Sequence, residues 1–207
     1  MTGLPEYWPD ALLHLKRKDR VLAGVVKNYN GEGLLKRGDP YGTLVRAIVG
    51  QQISTLAAAA IWRRMETSLI EINPKGVLSI GEEKLRDFGL TRQKSKYIHG
   101  LANSFVSGEV GTHIWQDQDS ESVINSLIKI NGIGRWTAEM FLIFHLARPD
   151  VLPLRDLGLR KGISILYGKG RNLSDSEMYS IAEVWRPWRS VATWYIWRSL
   201  DPEPVNY

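Results

Sequence analysis

The 207-residue chain contains no cysteine. Disulfides, thiolate zinc sites, thiolate-held iron–sulfur clusters and cysteine nucleophiles are therefore excluded. Histidine is sparse as well. His14, His99, His113 and His145 are scattered through the chain without the spacing of a metal site. No stretch approaches the ~20 apolar residues that cross a bilayer, so no membrane is expected as a partner. The first ten residues lack a charged start followed by an apolar run, and no signal peptide is read there. β-Branched residues never alternate with polar ones for more than a few positions, which leaves no strand pattern to build on. Internal repeats and low-complexity segments are also missing.

What remains is an ordinary globular composition, 43% hydrophobic and 24% charged. Lysine and arginine number 27 against 22 acids, a net charge of +5, and the pI is near 9.4. This surplus suits a polyanionic partner without requiring one. The length allows one well-buried domain or two small lobes sharing a core.

Helical periodicity fills most of the chain. After an extended lead-in over 1–9, apolar residues recur at three-and-four spacing from Asp10, a candidate cap, to Val26. Residues 28–42 are glycine-rich, contain Pro40 and read as a loop. A second helical stretch over 43–70 breaks at Gly50–Ser54, with Ser54 capping its second half. Asn73-Pro74 is a helix-start signal, and 82–88 form a short helix ending at Gly89. Thr91 opens a basic amphipathic helix with Arg92, Lys94 and Lys96 outside and Tyr97, Ile98, Leu101 and Phe105 inside. That basic run is a solvated face or part of an anionic footprint. Residues 108–118 are loop. Residues 119–130 and 135–147 form two arms around Gly132-Ile-Gly134. A helix follows over Asp156–Tyr167. Ser174 and Glu177 form a capping box for the next helix, and Pro187 starts a last one ending near Leu200. The expected fold is all-α, about ten helices.

Two features carry chemistry. The Gly-Ile-Gly turn starts a helix whose first N–H groups lack intrahelical partners and hold the positive end of the dipole. Such an end binds phosphate, with Arg135 and the Thr137 hydroxyl as helpers. The plainer alternative is a helix–helix turn facing water. From the residues alone Asp156 reads first as a helix N-cap, a role compatible with that of a catalytic acid.

The pattern Leu-x-x-Ile-x-Gly-Ile-Gly-Arg-Trp-Thr-Ala over 127–138 resembles a helix–hairpin–helix motif. Leu152-Pro-x-x-Asp156 resembles the acid that defines the helix–hairpin–helix DNA glycosylase superfamily. Arg46–Ser54, Gly89–Lys96, Trp185–Ser190 and Tyr195-Ile-Trp197 are similar to its 3-methyladenine DNA glycosylase II branch. The resemblance implies a two-lobed single domain over 1–207, with N- and C-terminal helices in one lobe and roughly 42–135 in the other. Only about forty residues precede the match, too few for the extra β-containing domain of the bacterial type member, so the compact all-helical form is expected.

By the same resemblance, Asp156 is an ionised carboxylate facing the sugar. Bifunctional relatives carry a nucleophilic lysine at the position of Trp136, so a water-using, monofunctional enzyme without lyase activity is implied. Trp136 and Trp197 match pocket tryptophans that would hold a cationic alkylated purine. Met140 stands where the type member has tyrosine. Gln51 and Gln52 fall at the duplex wedge, which fills the gap left by a flipped nucleotide. The carbonyls of Ile128, Ile130 and Ile133 fall where the family holds a monovalent cation, Na+ or K+; no other cofactor is implied. The expected protein is a monomeric, cytoplasmic enzyme of base excision repair, nucleoid-associated when on its substrate. It would release 3-methyladenine or 7-methylguanine from double-stranded DNA by base flipping and leave an abasic site. A non-catalytic hairpin DNA-binding protein and a glycosylase for another damaged base remain the alternatives.

Overall fold

The computed structural model describes residues 3–69, 71–110 and 115–201. Part of the loop expected over 108–118, with His113, lies outside them. Eleven helices and no strand occur among the described residues: α1 Trp8–Lys18, α2 Arg20–Asn28, α3 Pro40–Gly50, α4 Thr55–Ser68, α5 Pro74–Asp87, α6 Arg92–Val106, α7 Ser120–Leu127, α8 Arg135–Phe144, α9 Leu157–Tyr167, α10 Asp175–Glu183 and α11 Arg189–Leu200. The expectation of an all-α fold of about ten helices holds. No described helix is long and apolar enough to cross a membrane.

The chain divides into two compact units, 1–37 with 142–206, and 38–141. The first is built around α11, whose residues Ser190 to Trp197 are all buried. Helices α1, α2 and α9 pack on it. In the second unit α3 is buried along nearly its whole length and packs against α4 and α6, while α5 lies on α6.

The helix starts follow local chemistry. Ser54, Asn73, Thr91 and Asp119 each accept a backbone N–H from the first turn of the helix they precede. Ser174 and Glu177 form the expected capping box. Three expectations need correcting. The stretch from Asp10 to Val26 is two helices, because Asp19 breaks it. Its carboxylate accepts the Val21 and Leu22 N–H groups and starts α2. The same carboxylate accepts from the Tyr167 hydroxyl at 2.7 Å and the Trp185 indole at 2.8 Å, tying α9 and the end of α10 to α2. Asp10 is no cap, since α1 starts two residues earlier and carries Pro9 in its first turn. By contrast, the helix start at Asn73-Pro74 and the short helix after 82 both hold: α5 is two helical pieces joined across a kink at Gly81 (φ 76). Pro187 lies in the turn before α11, where Trp188 holds the N-cap position.

Candidate active site

In the second unit, α7 and α8 are the arms of a hairpin. Its turn is closed by the Ile130 N–H on the Leu127 carbonyl (3.0 Å) and the Ile133 N–H on the Ile130 carbonyl (3.1 Å). The buried Ile133 side chain roots it in the core. The two glycines differ in kind. Gly132 has φ 89, and a Cβ there would lie 2.2 Å from Cγ of Tyr97, so both backbone and neighbour demand glycine. Gly134 is exposed, and a Cβ there would meet nothing within 4 Å. Its lack of a side chain serves nothing inside the protein. It precedes α8, so that helix begins without an N-cap side chain over its positive dipole end.

The residues expected to help at this end have internal partners. Arg135 pairs with Glu121 of α7 and with Glu139 of α8 (3.1 Å), bracing the two arms. The Arg135 hydrogen bond holds the Glu121 carboxyl below its usual pKa. The Thr137 hydroxyl is buried and accepts from Gln51 Nε2 at 2.9 Å. The same amide nitrogen donates to the Gly132 carbonyl at 3.0 Å. The side chains of Arg135, Thr137 and Gln51 thus brace the hairpin from within. Gln52 is exposed and held at φ 58, in the left-handed region that long side chains rarely adopt.

Lys94 also departs from expectation. It is half-buried rather than part of a solvated face, and its ammonium donates to the carbonyls of Val49 (2.7 Å) and Gln51 (2.6 Å) at the end of α3. Burial lowers its pKa from the ordinary lysine value.

In the first unit, Asp156 is the N-cap of α9. Its Oδ1 accepts the Leu159 N–H at 2.6 Å and the Trp197 indole N–H at 2.8 Å. Only 8% of the residue is exposed. The cap bond and the indole bond together fix the direction of the Asp156 carboxylate. Gly158 leaves the room, since a Cβ there would stand 3.1 Å from Asp156 Oδ1 and 3.5 Å from Trp197 Cδ1. Trp197 is buried and stacked on Phe144, with centroids 6.0 Å apart and planes at 9°. It therefore orients the acid, a task not foreseen for it. Met140 has no exposed surface, contrary to a pocket-lining role, whereas Trp136 one turn earlier is partly exposed.

Residues 45–189 match the pattern of the HhH-GPD superfamily base excision DNA repair proteins. The match covers well over half of the chain. The chain belongs to the HhH-GPD superfamily. It is similar to DNA-3-methyladenine glycosylase 1 of Schizosaccharomyces pombe, 32% identical over 205 residues, with 96% of this chain and 84% of that protein covered. The structure of Schizosaccharomyces pombe 3-methyladenine DNA glycosylase in complex with abasic DNA superposes with a TM-score of 0.82 at 30% identity, covering 96% of this chain and all of that one. The DNA-3-methyladenine glycosidase of Bacillus halodurans gives a TM-score of 0.73 at 31% identity over 93% of this chain and 89% of that one.

The hairpin carbonyls of this HhH-GPD chain are compatible with a monovalent cation. The turn bond from Ile133 to the Ile130 carbonyl leaves that oxygen a second lone pair, and the neighbouring Ile128 and Ile133 carbonyls belong to the same turn. No cluster of histidine, aspartate or glutamate fit for another metal occurs among the described residues. Sequence reading passed over Gly158, the carbonyl partners of Lys94 and the inward use of Gln51. Gly158 did leave a signal. A glycine in the first turn of a helix weakens that helix and calls for a packing reason.

Proposed function

We propose that this chain hydrolyses the N-glycosidic bond of alkylated purines in double-stranded DNA with Asp156 as the catalytic carboxylate. The enzyme is a DNA-3-methyladenine glycosylase of base excision repair. The observation that carries the assignment of Asp156 is its fixed carboxylate, held by the Trp197 indole and the Leu159 N–H at the start of α9.

The target nucleotide is flipped from the duplex, and Gln52 fills the vacated space. Alkylation at purine N3 or N7 makes the base cationic. When the C1′–N bond breaks, the bonding pair leaves with the base, which departs neutral. Positive charge then develops on the sugar, and the Asp156 carboxylate stabilises it. Water adds its oxygen to C1′, a proton is released and an abasic site remains. Trp136 has no amine, so no Schiff base forms and the strand is not cut by this route. The Trp136 ring is the aromatic face for the cationic base. Trp197 keeps the acid aimed, and Met140 supports Trp136 from the core one turn along α8. The backbone between Gly132 and Gly134 takes a DNA phosphate at the head of α8; the Ile128, Ile130 and Ile133 carbonyls would hold a Na+ or K+ ion, which would add positive charge for the phosphate. The enzyme acts as a monomer, in the cytoplasm and on the nucleoid.

The test is Asp156→Asn on methylated duplex DNA, with the released bases identified. Asparagine also caps helices, so folding and DNA binding persist. Base release falls by about 100- to 1000-fold, the usual loss when a charge-stabilising group is removed. Wild-type release of 3-methyladenine by this variant overturns the assignment.

A further inference from the structure

The turn that carries Gln52 is supported from two sides within the second unit. Helix α3 ends at Gly50, and its last carbonyls have no helical partners of their own. The Lys94 ammonium, reaching across from the first turn of α6, binds the carbonyls of Val49 and Gln51. A cation is the favoured group at this negative end of a helix. On the far side, the Gln51 amide is bolted to the hairpin through the Gly132 carbonyl and the Thr137 hydroxyl. Between these two anchors Gln52 is exposed and sits at φ 58, a conformation that persists in a residue with a long side chain only where its surroundings impose it.

We propose that Lys94 is a positioning residue for the DNA wedge: with Gln51 it holds the 50–53 turn in one shape, so that Gln52 is set for the duplex before DNA arrives. This rests on the glycosylase reading above. A wedge on a loose turn must be ordered at the moment of base flipping, and a preset one avoids that cost. Lys94 acts through Gln52 and touches no substrate. Gln51 acts as a strut that links the wedge turn to the phosphate-binding hairpin.

A double-mutant cycle tests this with the full chain and a methylated duplex under single-turnover conditions. Lys94→Met lowers the rate of base release about 10- to 100-fold, the scale of a small misplacement at a reacting site. Lys94→Arg, which keeps the cation and its donors, restores at least half of that loss on a logarithmic scale. In a Gln52→Ala background, Lys94→Met costs less than twofold more, because the wedge it positions is already gone. Equal losses from Lys94→Met in both backgrounds overturn the proposal, since that is how a merely structural lysine behaves. Lack of rescue by arginine overturns it as well. Should Lys94→Met not fold, Lys94→Gln serves in the same cycle. A wild-type protein that releases no base from methylated DNA instead overturns the glycosylase reading, a different and separately visible result.

Discussion

Helix α8 begins after Gly134, which has no side chain, and helix α9 begins after Asp156, which has a carboxylate. Both starts present backbone N–H groups at the positive end of a dipole. At α8 the protein supplies no cap, leaves the approach sterically open and braces the arms from behind with Arg135, Glu121 and Gln51. At α9 the protein supplies its own anion, buries it and adds the Trp197 indole as a second donor. The same physics therefore serves two ends. An uncapped helix start is suited to an anion from outside, and a capped one holds an anion of the protein in a fixed direction. The glycines follow this division. Gly132 is required by the turn, Gly158 clears space beside the Asp156 carboxylate, and Gly134 has open space where a side chain would stand.

Four substitutions break or sharpen that contrast. The largest effect is expected at Gly132. Alanine there meets a left-handed backbone and the Tyr97 ring together, and it costs about 3 kcal/mol or more, as strained overpacked sites do. Chemical denaturation will measure it, and DNA binding falls with the fold. Next is Trp197→Phe, which keeps the stacking with Phe144 but removes the indole donor from Asp156. A lost hydrogen bond to a charged group is about 1.5–3 kcal/mol, so base release drops roughly 10- to 150-fold while affinity for DNA changes little. Single-turnover kinetics beside a binding titration separates the two. Gly134→Ala comes third. It leaves stability within about 0.5 kcal/mol, the range of exposed sites, yet weakens DNA binding roughly threefold through the methyl group at the helix start. Unchanged affinity would mean that the open end of α8 is not the phosphate site.

The smallest effect is at Glu121→Gln. Removing an exposed acid beside the hairpin frees the Arg135 charge, tightens binding about twofold and steepens its salt dependence. The pH dependence follows the same pair. The folded pKa of Glu121 lies below 4.5, so its contribution to stability is intact above 4.5 and is lost as pH falls through the lowered value. In Glu121→Gln that acid-side component is missing from the melting curves.

Much of this contrast could be read from residue order. The hairpin is announced by Gly132-Ile-Gly134 between two apolar-periodic arms, and Asp156 by its place before an apolar helix. Caps at Ser54, Asn73, Thr91 and Ser174 were legible because an N-cap is a local device: a short polar side chain bonds a backbone group two or three residues away. Asp19 was missed although it is also a cap, because Leu15 and Leu22 stay in one helical register across the charged run 16–20, which hides the end of α1. Lys94 looked solvent-facing from its neighbours Arg92 and Lys96. Its partners lie more than forty residues earlier in the chain, where no local pattern points.

By itself, the sequence determined the helical class, most helix starts, the glycine turn and the cap at Asp156, since each depends on periodicity or on chemistry within one turn of chain. Only the tertiary structure decided that Trp197 holds Asp156, that Gly158 makes room for them both, that Gln51 and Thr137 face inward, and that Lys94 closes the end of α3. Those are contacts between residues far apart in the chain. Which carboxylate, amide or ammonium meets which partner is set by how the helices pack, and packing is a property of many residues at once.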